Sequence, residues 1–175
     1  MSEKNFIVCG WYTPDYRHWA LRLMANLTVL SIRHAFVQVS KPDGRWEEVT
    51  RHKAVEVLKA MNRHPDDTII FLDVDCEVRG PLDALVDTRA DALLYIRAKR
   101  RRSGIVKWGG VRSGTMVFKP TPGARALVEA WIAENQNAQY GDTDQNTLTL
   151  ALSHARDVVY GHLPIEYCAV AGDRH

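Results

Sequence analysis

The sequence predicts an α/β fold with a mostly parallel central sheet and helices on both faces. Segments rich in β-branched and aromatic residues alternate along the chain with segments of helical period, which is the order typical of an α/β sheet. Residues 69–72 are apolar without interruption, as expected for a strand covered on both faces. With 175 residues, of which 46% are hydrophobic, we expect one domain over residues 1–175.

The first half of the chain is expected to form three strands and two helices. The strands are placed at 5–12, 35–40 and 68–74, and the turn at 41–44 follows the second. A helix is expected to begin at Pro14, and another to cover 50–62. Their core-facing residues recur at helical spacing: Trp19, Leu23, Leu27 and Leu30 in the first helix, and Ala54, Val57, Leu58 and Met61 in the second.

The second half continues the alternation. A helical turn at 81–86 precedes a strand at 91–96, a long charged loop at 97–110 and a strand at 111–119. The segment 120–123 then starts a helix whose core-facing residues are Ala124, Leu127, Val128 and Trp131. A polar loop at 135–143, a helix at 144–153 and a strand at 157–163 complete the predicted order.

Charge is unevenly distributed. The net charge is +2, yet residues 92–128 contain nine basic residues and no acidic one, which leaves 14 basic and 21 acidic residues elsewhere. Such a basic stretch favours an anionic ligand, although a solvated basic loop is the plain alternative. Within the stretch, Trp108 beside two glycines is the tryptophan that we expect to be functional.

The cysteines predict a reducing compartment. Cys9, Cys76 and Cys168 are far apart and form no CxxC pair, so neither a disulfide framework nor a thiolate zinc site is indicated. The apolar stretch at 6–9 is too short for a signal peptide or a membrane span. We therefore expect a cytoplasmic protein without a membrane span.

Two carboxylates follow the most apolar strand. Asp73 and Asp75 stand two residues apart where the strand at 68–74 ends, so a strand geometry would place both on one face. This is the edge at which open α/β sheets bind ligands. Adjacent carboxylates repel unless a cation lies between them, and Mg²⁺ or Mn²⁺ suits oxygen ligands. The alternative is a pair of solvated loop aspartates.

Three further segments follow the acid pair in order: 113–119 (SGTMVFK), 141–148 (GDTDQNTL) and 163–167 (LPIEY). Together with Asp73-Val74-Asp75, they resemble the DxD motif, the NSG strand, the DQ helix start and the LPxxY segment of nucleotide-sugar glycosyltransferases with the GT-A fold. The order and spacing match over residues 6–167. The resemblance implies a single Rossmann-like GT-A domain.

The resemblance also implies the reaction and its cofactor. A metal-dependent enzyme would move a hexosyl or pentosyl group from a nucleoside-diphosphate sugar to an acceptor hydroxyl, with Mn²⁺ or Mg²⁺ as the metal. Asp75 would bind the metal directly, Asp73 would share it or hold the ribose, and His175 is the third ligand by order in the chain. Stereochemical outcome and oligomeric state stay open, and so does the acceptor, a saccharide or modified DNA.

The remaining site residues are carried over from the same motifs. Thr13 and Tyr16 would contact the nucleoside, and Lys53 the diphosphate. Ser113 and Gly114 would let the donor sugar approach the backbone closely. Near the anomeric carbon, the resemblance places Asp144 and Gln145 on the sugar hydroxyls, with Asp142 and Asp144 as candidates for a catalytic base or nucleophile.

The sequence departs from the family pattern at three places. Arg112 stands where the family has Asn before Ser-Gly, and Cys168 stands where Asn often follows LPxxY. Many members of the family supply a third metal ligand as a histidine after LPxxY, and the resemblance implies His175, the final residue, for this role. His162 precedes that segment, and a lone histidine on a strand is more typical of a core.

Two other functions remain open from the sequence. A phosphohydrolase of the haloacid dehalogenase class also begins with a DxD strand, although that strand is usually the first one. A nucleic-acid-binding module would use the basic residues at 97–112 but would leave the acid pair unexplained. Cys76 resembles a catalytic thiol by location, but no histidine stands nearby in sequence to activate it.

Overall fold

A computed structural model describes residues 5–100 and 106–168 of the chain. Within them, six strands form one sheet in the order β2-β1-β3-β5-β4-β6. The strands are Phe6–Tyr12 (β1), His34–Gln38 (β2), Thr68–Leu72 (β3), Ala92–Arg100 (β4), Val106–Phe118 (β5) and Tyr160–His162 (β6). The α-helices are Arg17–Val29 (α1), Trp46–Thr50 (α2), Lys53–Arg63 (α3), Pro122–Gln136 (α4) and Asp144–His154 (α5), and short 3₁₀ turns cover Pro14–Tyr16, Asp83–Leu85 and Ile165–Tyr167.

The sheet is mostly parallel, as predicted. Strands β2, β1 and β3 run parallel to one another, and β6 runs parallel to β4. Strand β5 is antiparallel to both of its neighbours, β3 and β4. The carboxyl ends of β1, β2, β3 and β4 therefore meet at one edge of the sheet, where ligands bind in folds of this kind.

Helices cover both faces of the sheet, which confirms the predicted fold class. Strand β3 is buried at every position, and its alternating side chains point into two separate cores. Ile69 and Phe71 pack with α3, α4 and α5 on one face. Ile70 and Leu72 pack on the other face with α1.

The prediction of a charged loop at 97–110 is wrong for residues 97–100 and 106–110, which are strand, and residues 101–105 lie outside the described residues. Strands β4 and β5 instead continue as an antiparallel hairpin, in which Ala98 pairs with Trp108 and Arg100 with Val106. The backbone forms this ladder through its own N–H and C=O groups, so a run of charges does not prevent it. Register shifts after Leu94 and after Ile96 break the regular alternation from which a strand is recognised in a sequence.

Smaller differences concern element boundaries. The helix predicted at 50–62 is two helices, α2 and α3, separated by a turn at 51–52. The first helix begins at Arg17, three residues after the predicted start, because a 3₁₀ turn comes first. Leu30, predicted to face the core from this helix, lies beyond its end and is 40% exposed. Strands β3 and β6 are shorter than predicted. The end of β3 matters most, because Asp73 and Asp75 then lie outside the strand.

Candidate functional site

The acid pair lies at the carboxyl edge of the sheet, directly after β3. The N–H of Asp73 still donates to the carbonyl oxygen of Gly114 on β5 at 2.9 Å, and the chain then turns, with the Cys76 N–H donating to the Asp73 carbonyl at 3.2 Å. Asp75 lies in this turn and is exposed. The two aspartates therefore do not share a strand face, contrary to the i, i+2 argument, because the strand ends before them.

A buried lysine links two distant aspartates at this edge. The Nζ of Lys53, at the start of α3, lies 2.8 Å from Oδ1 of Asp73 and 2.9 Å from Oδ2 of Asp144. It also donates to Oγ of Ser113 at 3.1 Å, and the Ser113 hydroxyl donates in turn to the Asp144 carboxylate. We call Lys53, Asp73, Ser113 and Asp144 the lysine cluster.

The electrostatics of the lysine cluster favour the charged form of Lys53 and disfavour the charged form of Asp73. Burial by itself would lower the pKa of Lys53, but the carboxylates of Asp73 and Asp144 outweigh it and hold that pKa above its usual value. The pKa of Asp73 is raised, first by burial and further by the charges of Asp144 and Asp75, while Lys53 opposes the rise. Lys53 thus pairs with two carboxylates, while Asp75 adds a third negative charge beside Asp73. A second cation would be attracted to this edge.

The backbone of Asp144 is held in place by hydrogen bonds to residues on neighbouring helices. It is the first residue of α5 and is 3% exposed. The indole Nε1 of Trp131 donates to its carbonyl oxygen at 3.0 Å, and its own N–H donates to Oγ1 of Thr50 at 3.3 Å. The carboxylate is thereby directed toward Lys53 and is less open to a bound sugar than the resemblance implies.

Asp142 and Gln145, which lie on either side of Asp144 in the chain, contact residues outside the lysine cluster. The carboxylate of Asp142 accepts the Gln139 N–H at 2.8 Å and so closes the turn before α5. The carbonyl oxygen of Asp142 accepts from Arg51 at 2.7 Å. Oε1 of Gln145 accepts from a terminal nitrogen of Arg97 at 3.4 Å. Asp142 and Gln145 therefore flank the lysine cluster without joining it.

The expected nucleoside contacts lie in the loop after β1. Thr13 is buried, and its hydroxyl donates to the carboxylate of Asp15. Asp15 pairs with Lys41 at 3.1 Å, which ties this loop to the segment after β2. Tyr16 is 43% exposed. The loop thus presents an aromatic ring and a closed polar turn at the same edge as Asp73.

Gly114 leaves open space beside the acid pair. A Cβ built at this glycine would lie 3.6 Å from Oδ2 of Asp73, which is an ordinary van der Waals distance. The fold itself therefore tolerates a side chain here. A requirement for glycine at this point would come from a ligand that approaches the backbone.

The three-ligand metal site implied by the resemblance is incomplete in the described part of the chain. Among residues 5–100 and 106–168, no three His, Cys, Asp or Glu side chains come together as a metal site. His175 lies outside the described residues. Asp73 and Asp75 are the two expected oxygen ligands that lie among the described residues, and Mg²⁺ commonly takes one or two carboxylates from a protein when substrate phosphates supply the rest.

Cys76 is not an activated thiol. Burial, reinforced by the charges of Asp73 and Asp75, raises its pKa to about 12, so the thiol is protonated at neutral pH.

Trp108, expected from the sequence to be functional, has a side chain outside the described part of the structure. Trp46, on α2, is 64% exposed.

Sequence reasoning missed the residues that hold the site together. Thr50 and Arg51 join the end of α2 to the start of α5, and Trp131 is a hydrogen-bond donor to the site as well as a core residue. Arg97 is one basic residue among many in its stretch, yet its Nε is buried and has no hydrogen-bond partner among the described residues. No local pattern marks these features, because each depends on segments far apart in the chain.

No protein-family model matches the chain, and no curated protein sequence matches it. Several solved structures do. A glycosyltransferase involved in the glycosylation of the major capsid of PBCV-1 superposes with a TM-score of 0.67 at 11% identity, over 92% of this chain and 82% of that one.

Two further glycosyltransferases superpose less closely. The apo form of glycosyltransferase GlyE from Streptococcus pneumoniae TIGR4 gives a TM-score of 0.62 at 15% identity, over 94% of this chain. This chain spans less than half of GlyE, 46% of its length. Galactosyltransferase LgtC, solved with donor and acceptor sugar analogs, gives 0.52 at 14% identity, over 89% of this chain and 73% of that one. The chain therefore has the GT-A fold of nucleotide-sugar glycosyltransferases, as its sequence motifs predicted.

Proposed function

We propose that this chain is a metal-dependent glycosyltransferase that moves a sugar from a nucleoside diphosphate to an acceptor hydroxyl. The observation that carries the proposal is the location of Asp73 and Asp75. They leave the central strand at the ligand-binding edge of a fold shared with three solved glycosyltransferases. Neither the phosphohydrolase nor the nucleic-acid alternative gains support from these comparisons.

The residues present fit a divalent cation. Asp75 is exposed and free to turn toward a ligand, whereas Asp73 is 36% exposed and held by Lys53 at 2.8 Å. Asp75 and a carboxylate oxygen of Asp73, shared with Lys53, would hold Mn²⁺ or Mg²⁺, with His175 retained as the proposed third ligand. When bound, the metal would supply Lewis-acid stabilisation of the departing nucleoside diphosphate.

The chain's own residues would bind and orient the donor. Thr13 and Tyr16 would contact the nucleoside, and Gly114 would leave room for the sugar beside the backbone. Lys53 is committed to two aspartates, so we assign it the orientation of Asp73 and Asp144 in place of a direct contact with the diphosphate. The basic residues at 97–112 would add positive charge toward the leaving group.

Near the sugar, Asp144 and Gln145 would hold hydroxyl groups, and Asp142 and Asp144 remain the candidates for a base or nucleophile. Asp144 would act with Oδ1, because Oδ2 is engaged by Lys53 and Ser113. We further propose that residues 1–175 act as one GT-A domain in the cytoplasm, the latter because the sequence has three widely spaced cysteines and no CxxC pair. No helix among the described residues is long and apolar enough to cross a membrane.

Thermal unfolding with a panel of nucleoside diphosphates, each with and without Mn²⁺, tests the proposal. A ligand at 100 times its Kd adds about 2.7 kcal/mol to the free energy of unfolding. We expect one nucleotide to raise the melting temperature only when Mn²⁺ is present, and Asp75→Asn to remove this shift. Asp66→Asn, an exposed aspartate between α3 and β3, is the matched control. If no nucleotide stabilises the parent, the proposed function is wrong.

A further inference from the structure

Two exposed aromatic side chains lie on segments that lead directly into the lysine cluster. Tyr140, in the turn before α5, is 85% exposed, and Trp46, the first residue of α2, is 64% exposed. Arg45 joins their segments, because it precedes Trp46 in the chain and its guanidinium lies 3.9 Å from the centre of the Tyr140 ring. We call Trp46 and Tyr140 the aromatic platform.

The platform is tied to the candidate site by hydrogen bonds. Arg51 donates to the Asp142 carbonyl at 2.7 Å, and Thr50 accepts from the Asp144 N–H at 3.3 Å. The two segments therefore run side by side from the exposed rings to Lys53 and Asp144. Tyr140 and Asp144 are close in the chain, so their Cα atoms are at most ~14 Å apart.

The surroundings of the rings are polar. The chain neighbours of Trp46 are Arg45 and Glu47, and those of Tyr140 are Gln139 and Gly141, with Asp142 close behind. A protein-docking surface usually offers a contiguous apolar patch of several hundred Å². Two aromatic rings with charged groups between them do not form such a patch. A pyranose ring, by contrast, has one apolar C–H face and a rim of hydroxyl groups.

We propose that the aromatic platform binds a saccharide acceptor, with the sugar stacked on Tyr140 or Trp46 and its hydroxyls hydrogen-bonded to neighbouring polar side chains. The proposal rests on the proposed function and names the acceptor class for it. Aromatic side chains with a few placed polar groups line small-molecule sites, and Tyr and Trp combine an apolar ring with a polar tip. The platform lies close enough to Asp144 for a short saccharide to reach from the rings to the donor.

Saturation-transfer NMR tests this without knowledge of the donor sugar. The probes are methyl glycosides of glucose, galactose, N-acetylglucosamine and rhamnose, added to protein with Mg²⁺ and the nucleoside diphosphate that stabilises it. We expect at least one glycoside to bind. Tyr140→Ala and Trp46→Ala should each weaken that binding about three- to tenfold, the range for loss of one aromatic contact, while Tyr140→Phe retains it.

Tyr160→Ala is the matched control, since Tyr160 is a 48% exposed aromatic residue on β6, and it should leave glycoside binding unchanged. The proposal is overturned if no glycoside binds, or if the platform variants bind glycosides as the parent does. It is also overturned if those variants weaken nucleotide binding by the same factor, because the rings would then stack on the nucleobase. Failure of the proposed function looks different, since the parent would then bind no nucleoside diphosphate at all.

Discussion

The Nζ of Lys53 lies 2.9 Å from the carboxylate of Asp144, and both side chains are less than a tenth exposed. The first turns of α3 and α5 are joined by this contact at the ligand-binding edge of the sheet. Because the pKa of Lys53 is held above its usual value, its stabilising effect is present below the unfolded-state pKa of about 10.4. That effect is lost only as the pH rises through the higher folded-state value.

Lys53→Met is expected to destabilise the fold strongly. Removing one partner of a buried ion pair costs about 3–5 kcal/mol, since the other charge stays buried without its partner. Asp144→Asn should also destabilise, and the double variant should lose less than the sum of the two single losses. Urea unfolding of all four proteins measures this coupling. Strict additivity would show that the two side chains do not interact.

Gly114→Ala separates the demands of the fold from those of a ligand. The new Cβ would lie 3.6 Å from Asp73, so we expect the melting temperature to change by little. Hydrolysis of the donor sugar should fall sharply, because the methyl group would occupy the space we assign to that sugar. Binding of the bare nucleoside diphosphate should persist.

Gly80→Ala is the matched control for Gly114→Ala, since nothing lies within 4 Å of a Cβ built there. It should leave stability and donor hydrolysis at the parent's level. Equal donor hydrolysis in the Gly114→Ala variant and the parent would place the sugar elsewhere.

Cys9 is expected to resist alkylation in the folded protein. Burial in β1 raises its pKa to about 12, so the thiolate is scarce at pH 8, and the thiol is also 3% exposed. Mass spectrometry after iodoacetamide treatment should find Cys9 unmodified in buffer and modified in urea. Rapid labelling at pH 8 without denaturant would contradict the burial of β1.

The fold was largely predictable from local patterns. The uninterrupted apolar residues of β3 and the helical spacing of Leu127 and Trp131 in α4 both arise from burial, and burial leaves a periodic mark in the sequence. The strands at 91–96 and 111–119 were predicted in this way, but their extension into the segment 97–110 was not. The strands of this hairpin are irregular, and pairing by backbone hydrogen bonds requires no hydrophobic alternation that could be recognised in a charged segment.

The candidate site was predictable in part. The acid pair stands out because it follows the most apolar strand, and the family motifs supply Ser113 and Asp144. That Lys53 pairs with Asp144 is a tertiary contact between two helix starts distant in the chain, and neither residue's neighbours reveal it. As a result, the Asp144 carboxylate is buried and bound by Lys53 and Ser113, whereas the motif alone implied that it is open to a bound sugar.

Replacement of the basic residues Arg100, Arg101 and Arg102 tests whether the basic stretch contributes to donor binding. If the stretch serves the donor, replacing all three with Gln should weaken nucleoside-diphosphate binding, since three positive charges near a diphosphate are removed. The matched control replaces three exposed arginines elsewhere, Arg17, Arg89 and Arg156, with the same change in net charge. Titration calorimetry of both triple variants and the parent measures the difference.

The same proteins decide whether DNA is the acceptor. We expect the parent to show negligible affinity for duplex DNA, consistent with a saccharide on the aromatic platform. A DNA-binding protein would instead lose affinity with salt, with a slope of about −0.9 per phosphate neutralised. Replacing Arg100, Arg101 and Arg102 would then make that slope shallower by about one for each arginine that pairs with a phosphate, almost independently of the DNA sequence. A steep salt dependence in the parent, reduced in this variant and unchanged in the control, would assign the basic stretch to a polyanionic acceptor.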